Sequence, residues 1–218
     1  MNKVNIIYED NDIILVHKPA GTATQTKRLG QQDMESLLKN YRAKNGEQPQ
    51  IWMVHRLDQP VEGLMVFAKN QKAAGDLSKQ VQQHIIGKYY YAVSAYEPKE
   101  KAGVLEDYLL TDKKTNVTQV VTEEVKEAKK ARLEYEVVDT KEDKTLIRVK
   151  LHTGRQHQIR VQLAHMGCPL IGDSKYGETV SREGLALCSY RLEFLHPVNK
   201  KKMEFEIQPQ GMPFQGFF

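Results

Sequence analysis

Apolar and polar positions alternate in short runs along most of this 218-residue chain, and the period changes only a few times. VNIIYED and DNDIILVHKPAG read as two short strands separated by an acidic turn, with Pro19, Ala20 and Gly21 breaking the second. DMESLLKNYRAKN, Asp33 to Asn45, spaces its apolar residues for a helix and offers Asp33 as its N-cap. GLMVFAK is a mostly apolar strand, NQKAAGDLSKQVQQHI a helix begun by Asn70, and GKYYYAVSAY an aromatic and β-branched strand. The charge-rich stretch between Glu97 and Lys130 is expected to hold two edge strands or a long hairpin. ARLEYEVVDTKEDKTLIRVKL predicts a hairpin around TKEDK, and ALCSYRLEFLHPVNKKKMEFEIQP a last one around HPVNKKK. Between them QHQIRVQLAHMG predicts an amphipathic helix closed by Gly167. With no internal repeat, linker or low-complexity tract, this order indicates one α+β domain over residues 1–218, its sheet mostly antiparallel.

Composition narrows the class only a little. Hydrophobic residues make up 40% and charged residues 28%, as in ordinary globular proteins. No apolar run approaches the roughly 20 residues of a bilayer span. The N-terminus has no apolar signal core, so no membrane and a cytoplasmic location are expected. Cys168 and Cys188 do not form a disulfide framework, which suits a reducing compartment. A net charge of +4 is compatible with a polyanionic partner, and equally with a mixed-charge solvated surface.

The phosphate-binding loops, zinc-protease helix and nucleophile elbow of common enzymes are absent. His152, His157 and His165 lie five and eight residues apart, which places them on different helix faces. No metal site is expected there, only solvent or capping roles. Two segments combine charge with sharp turns. HRLDQP sets Arg56 and Asp58 into an apolar run. LHTGRQHQIRVQLAHMGCPLIGDSKYG places Gly154 and Arg155 between a strand and a helix, followed by an irregular loop of the kind that usually serves a site.

VHRLDQPVEGLMVFAK resembles the HRLD motif of the RluA-type RNA pseudouridine synthases, and LHTGRQHQIRVQLAHMGCPLIGDSKYG resembles that family's second block, in which TGR, HQIR and GDxxYG recur. VHKPAG is similar to the family's N-terminal strand-turn, KYYYAV to its K-x-Y-x-A motif and KKARLEYEVV to the strand before the second block. The resemblance runs from about Val4 to Phe205. It implies a mixed, largely antiparallel sheet with flanking helices and a central cleft. Because strand signals begin at residue 4, no S4-type RNA-binding domain is expected ahead of it. It also implies an isomerase that modifies uridines of ribosomal or transfer RNA without cofactor or metal; a monomer is expected.

By this resemblance Asp58 is the catalytic carboxylate, either attacking C1′ of the ribose or removing the C2′ proton. Without the motifs, a turn cap before Pro60 would be the commoner role for it. Tyr90 matches the tyrosine that stacks on the flipped base, and Arg155 is expected to hold the Asp58 carboxylate ionised. Arg56 corresponds to the arginine that fills the gap left in the RNA stack, or else contacts phosphate at the surface. His55, Arg160 and Arg28 complete the expected RNA contacts, Arg160 having a helix buttress as its alternative role.

The chain departs from the family pattern in three places. Val61 and Glu62 stand where Thr-Ser is usual, His17 replaces an Asn, and Leu133 replaces a Thr. Glu62 thereby adds a carboxylate near a loop expected to face RNA. Two rival readings remain: an RNA-binding protein that kept the fold and lost catalysis, and a glycoside hydrolase with Glu62 as the second carboxylate. RNA incubation separates them by pseudouridine formation, binding without conversion, or release of base or sugar.

Overall fold

Hydrophobic periodicity and capping residues set the elements seen in a computed structural model of the chain, which describes residues 4–26, 30–177 and 183–218. In chain order they are β1 (Asn5–Glu9), β2 (Ile13–Lys18), α1 (Met34–Lys44), β3 (Trp52–Met53), β4 (Glu62–Ala68), α2 (Gln71–Gln82) and β5 (Gly87–Ser94). There follow β6 (Ala102–Asp112), β7 (Val117–Val121), β8 (Lys129–Lys141), β9 (Lys144–Leu151), α3 (Gln158–His165), β10 (Leu187–Leu195) and β11 (Lys202–Glu206). The architecture is α+β. Two units can be distinguished, residues 1–87 with 189–207 and residues 88–188 with 208–218.

In the first unit the strand order is β1-β2-β4-β10, with β3 added to β4 and β11 to β10. β2 and β4 run antiparallel and are buried at every position, so both faces of this ribbon are covered. One face joins Ile13, Leu15, Leu64 and Val66 to Leu77 of α2 and to Leu192 and Phe194 of β10. Gly63 has φ +128°, and a Cβ there would run into the backbone of Ser189. Only glycine lets β4 lie this close to its neighbour. Both helix starts follow the sequence. Asp33 caps α1 by accepting the Ser36 N–H at 2.8 Å, and Asn70 caps α2 by accepting the Ala73 N–H at 2.9 Å.

In the second unit the order is β5-β9-β8-β6-β7. The pairings β5–β9, β9–β8, β8–β6 and β6–β7 are all antiparallel. The middle segment is a long hairpin of β6 and β7, most of whose residues are exposed or half-buried, with Leu109 and Thr118 buried. Val161 of α3 packs on Leu109 and Ala131, with Val120 and Tyr176 alongside.

Several expectations are corrected. α2 ends at Gln82, short of Ile85, because His84 adopts φ 57°, which no helix accommodates. The two-residue β3 carries too short a pattern to read from sequence. α3 is not amphipathic: Gln158, Arg160 and Gln162 are buried along with Ile159, Val161 and Leu163. Its close is as expected, for Gly167 at φ 90° ends it and the Cys168 N–H returns to the Leu163 carbonyl at 2.9 Å.

Candidate active site

The run VHRLDQPVEG becomes a turn because Pro60 cannot donate to a sheet and the Val61 N–H instead closes on the Asp58 carbonyl at 3.0 Å. Leu57 and Val61 are buried, Arg56 is exposed and Asp58 is half-buried. Residues 18–24 hold this turn from the side. Thr24 Oγ1 donates to the Leu57 carbonyl at 2.9 Å and accepts the Leu57 N–H at 3.3 Å. The Gly21 N–H donates to the Gln59 carbonyl, and Gln59 Nε2 donates to the Gly21 carbonyl, both at 2.9 Å.

Lys18 closes the clamp. It is 0% exposed, and its Nζ donates to the carbonyls of Pro19 (2.9 Å), Thr22 (2.7 Å) and Gln59 (3.1 Å). Three acceptors match the three N–H bonds of an ammonium. Burial pushes its pKa down to about 7, while the charges of Asp58 and Glu62 pull the other way. The sequence reading missed Lys18. The available signal was a lysine ending the otherwise apolar run IILVHK, where a cation needs buried partners.

Glu62 and His17, two of the departures from the family pattern, meet here. Glu62 is 4% exposed, with its Oε2 3.5 Å from Nε2 of the buried His17. The carboxylate expected near an RNA-facing loop is therefore turned into the strand pair. That burial removes the local support for a two-carboxylate hydrolase. His55 Nε2 accepts the Val66 N–H at 3.1 Å, which places the ring proton on Nδ1 and ties the turn to β4. Arg56 makes no hydrogen bond or ion pair among the described residues, whereas Arg28 lies outside them.

In the second unit Tyr90 is 6% exposed on β5, between half-buried Tyr89 and Tyr91, and Tyr91 packs on Phe218 with ring centroids 5.0 Å apart. The TGR loop is organised by Gln158. Its Oε1 accepts the Thr153 hydroxyl at 2.8 Å and the Arg155 N–H at 3.0 Å, and its Nε2 donates to the Arg132 carbonyl at 3.1 Å. Arg155 Nε donates to the Lys130 carbonyl at 2.9 Å. The buried guanidinium of this block belongs to Arg160, which holds Asp173 through two bonds of 2.7 Å and lies 5.2 Å from the Tyr176 ring centre.

GDSKYG thus latches onto α3. Asp173 also accepts the N–H groups of Lys175 and Tyr176, at 3.0 and 3.2 Å. Tyr176 accepts the Thr118 N–H and bonds His157 Nδ1, each at 2.8 Å. His157 is therefore buried rather than solvent-facing, while His165 is exposed. Burial alone would raise the Asp173 pKa, but Arg160 and the two backbone donors more than offset it and hold it below the usual carboxylate value. Asp173→Asn should destabilise the protein by about 3 kcal/mol, because it leaves the Arg160 charge buried and uncompensated. The wild type should lose this contribution as pH falls below about 4, the usual aspartate range, so the stability difference between the wild type and the variant should shrink there. Urea midpoints from pH 3 to 7 check both.

Asp10, Asp12 and His196 gather their ligand atoms within 4.8 Å of one another. Their bonds already assign them another role. His196 Nδ1 accepts the N–H groups of Val198 and Asn199, leaving Nε2–H to donate to Asp10 at 2.9 Å. Asp10 also accepts from Asp12, Ile13 and Tyr8, and Asp12 accepts from Asn70. No helix among the described residues is long and apolar enough to cross a membrane.

The chain matches a family model described as RNA pseudouridylate synthase over residues 12–165. It is 33% identical over 208 residues to a Mycoplasma pneumoniae protein named as an RNA pseudouridine synthase homologue, covering 94% of this chain and 66% of the relative. A protein of Aquifex aeolicus named as an uncharacterized RNA pseudouridine synthase is 35% identical over 226 residues, with 94% and 69% covered. The ribosomal large subunit pseudouridine synthase D of Nitrosomonas europaea is 33% identical, with 89% and 58% covered. The chain spans about two thirds of the length of such curated relatives, 66% and 65% for the Mycoplasma pneumoniae and Bacillus subtilis proteins. Among solved structures, human RNA pseudouridylate synthase domain containing 4 has a TM-score of 0.78 at 20% identity, covering 94% of this chain and 89% of that one. Human RNA pseudouridylate synthase domain containing 1 gives 0.79 at 20%, covering 95% and 84%. Both share the fold.

Proposed function

Because the chain belongs to the RNA pseudouridylate synthase family, we propose that it isomerises uridine to pseudouridine in RNA, with Asp58 as the working carboxylate. The observation that carries this reading is the mounting of Asp58. A half-buried aspartate sits on a turn whose two flanking residues, Leu57 and Gln59, are both tied to residues 18–24. A residue that only capped a turn would not need this framework.

The isomerisation breaks the N1–C1′ bond, turns the uracil and rejoins it through C5, which gives up its proton while N1 takes one up. No electrons are gained or lost overall, so the reaction calls for an oriented carboxylate and a base-stacking surface rather than a redox group. Asp58 supplies the first, as nucleophile at C1′ or as base at C2′. Tyr90 supplies the second, its ring held in β5. Arg56, exposed beside Asp58, enters the space left by the flipped uridine. Arg155, His55, Arg160 and Arg28 stay within the proposed site. Arg160 and His55 act by holding α3 and the Asp58 turn, a support of the kind their bonds favour.

The substrate is ribosomal or transfer RNA, and the name of the Nitrosomonas europaea relative favours testing ribosomal RNA first. The protein acts as a monomer in the cytoplasm. The test is to incubate it with uridine-containing RNA, digest to nucleosides and separate them. Pseudouridine supports the reading, and bound but unconverted RNA points to a protein that has lost catalysis.

A further inference from the structure

Lys88 lies on β5 two residues before Tyr90 and therefore on the same face of the strand, opposite Leu151 of β9. Its side chain runs to the TGR loop, where the position of a Cβ on Gly154 would lie 3.1 Å from Lys88 Nζ. Gly154 is exposed and Lys88 half-buried, so the missing side chain leaves the ammonium an opening to solvent beside the loop backbone.

Arg155 beside Gly154 gives its Nε to the Lys130 carbonyl, and other basic groups of this unit are matched by carboxylates. Arg132 pairs with Glu106 at 2.8 Å, Lys130 with Glu106 at 3.6 Å, His152 with Glu134 at 2.8 Å and Arg160 with Asp173 at 2.7 Å. Lys88 has no such partner among the described residues. Burial lowers its pKa, with no carboxylate acting in the other direction. A partly desolvated cation without a counter-charge is unfavourable in the folded protein alone and is satisfied by an anion that arrives.

We propose that Lys88, reaching past Gly154, binds a backbone phosphate of the RNA next to the uridine that Tyr90 receives. This deepens the pseudouridine synthase reading and rests on RNA being the substrate. A phosphodiester oxygen fits because it is anionic, accepts hydrogen bonds from an ammonium and lies one sugar away from the base. A side chain at 154 would crowd Nζ from this side, since its Cβ alone would lie 3.1 Å away.

The experiment measures RNA affinity across a salt series for the wild type, Lys88→Met and Lys88→Arg, with thermal melting of each. Lys88→Met should bind about tenfold more weakly near 0.1 M salt. Its slope of log affinity against log salt should be shallower by about 0.7 to 0.9, the loss of one phosphate contact. Its melting temperature should stay level or rise, since an unpaired buried cation has been removed. Lys88→Arg keeps the charge and should retain most of the affinity. Unchanged affinity and slope in Lys88→Met would overturn the assignment, and so would a sharp drop in its melting temperature, which would make Lys88 a structural residue. Wild-type protein that binds RNA with this salt dependence but forms no pseudouridine would overturn the enzymatic reading and leave the phosphate site standing. Wild-type protein that binds no RNA would overturn both.

Discussion

Asp58→Asn should leave a folded, RNA-binding protein whose turnover falls by at least about 10⁴-fold, the scale on which loss of an essential reacting group is felt. Asparagine has the same shape, and the turn's backbone bonds do not run through the Asp58 side chain. The Val61 N–H closes on the Asp58 backbone carbonyl, and the lateral tethers go to Leu57 and Gln59. Removing the charge thus keeps these backbone bonds and removes the only carboxylate on this turn able to reach C1′ or take the C2′ proton. Glu62 cannot substitute, because it is buried against His17. The variant should still melt cooperatively and bind RNA, losing only the stability that the Asp58 charge gives to Lys18, while pseudouridine yield disappears.

Lys18→Met should harm both stability and turnover, and for a different reason. Methionine fills a similar volume but leaves the Thr22 carbonyl without the Lys18 donor, removes one of two donors from the Pro19 and Gln59 carbonyls, and takes the cation away from the Asp58 and Glu62 charges. Loss of a buried charge partner costs about 3–5 kcal/mol. With the Lys18 bond to Gln59 gone, the turn is held there by the Gly21 bonds alone, and a displacement of Asp58 by about 1 Å is enough to reduce turnover on the order of 10²-fold. The pH dependence has a definite sign. With Lys18 at about pKa 7 when folded and 10.5 when unfolded, the unfolded chain binds the extra proton between those values. Wild-type stability therefore gains from this site as pH rises through that window. Methionine cannot titrate, so the stability deficit of Lys18→Met should be larger at pH 9 than at pH 6. Urea unfolding at the two pH values checks this.

What sequence could and could not reveal follows from which interactions are local. Asp33 and Asn70 announced the starts of α1 and α2 because an N-cap is a contact over three residues. The period-2 pattern of KTLIRVKL gave β9 for the same reason. α3 defeated the period argument. The polar residues Gln158, Arg160 and Gln162 are buried because Thr153, Asp173 and Asp107 meet them, partners 5, 13 and 55 residues away that the apolar period does not register. The extent of the β6–β7 hairpin was illegible because most of its positions are exposed or half-buried, so charges are tolerated on both faces.

The motifs located the site better than they assigned work within it. HRLD marked Asp58, and the turn geometry explains the Pro and Gly around it. TGR and HQIR offered two arginines with nothing in the spacing to rank them. Folding gives Arg155 Nε to the Lys130 carbonyl and buries Arg160 as a fork on Asp173. Lys18 looked like one more polar residue after a strand, and its role depends on Gln59, 41 positions away.

The central claim is that this chain moves uracil from N1 to C5 attachment through Asp58, and release of tritium from RNA carrying [5-³H]uridine tests it most directly, since the new C–C bond expels the C5 hydrogen. Purified wild-type protein should release tritium from ribosomal RNA in proportion to pseudouridine formed, and Asp58→Asn should release none above background. Release by the Asp58→Asn variant at the wild-type rate, or none by a wild-type protein that binds the RNA, would contradict it.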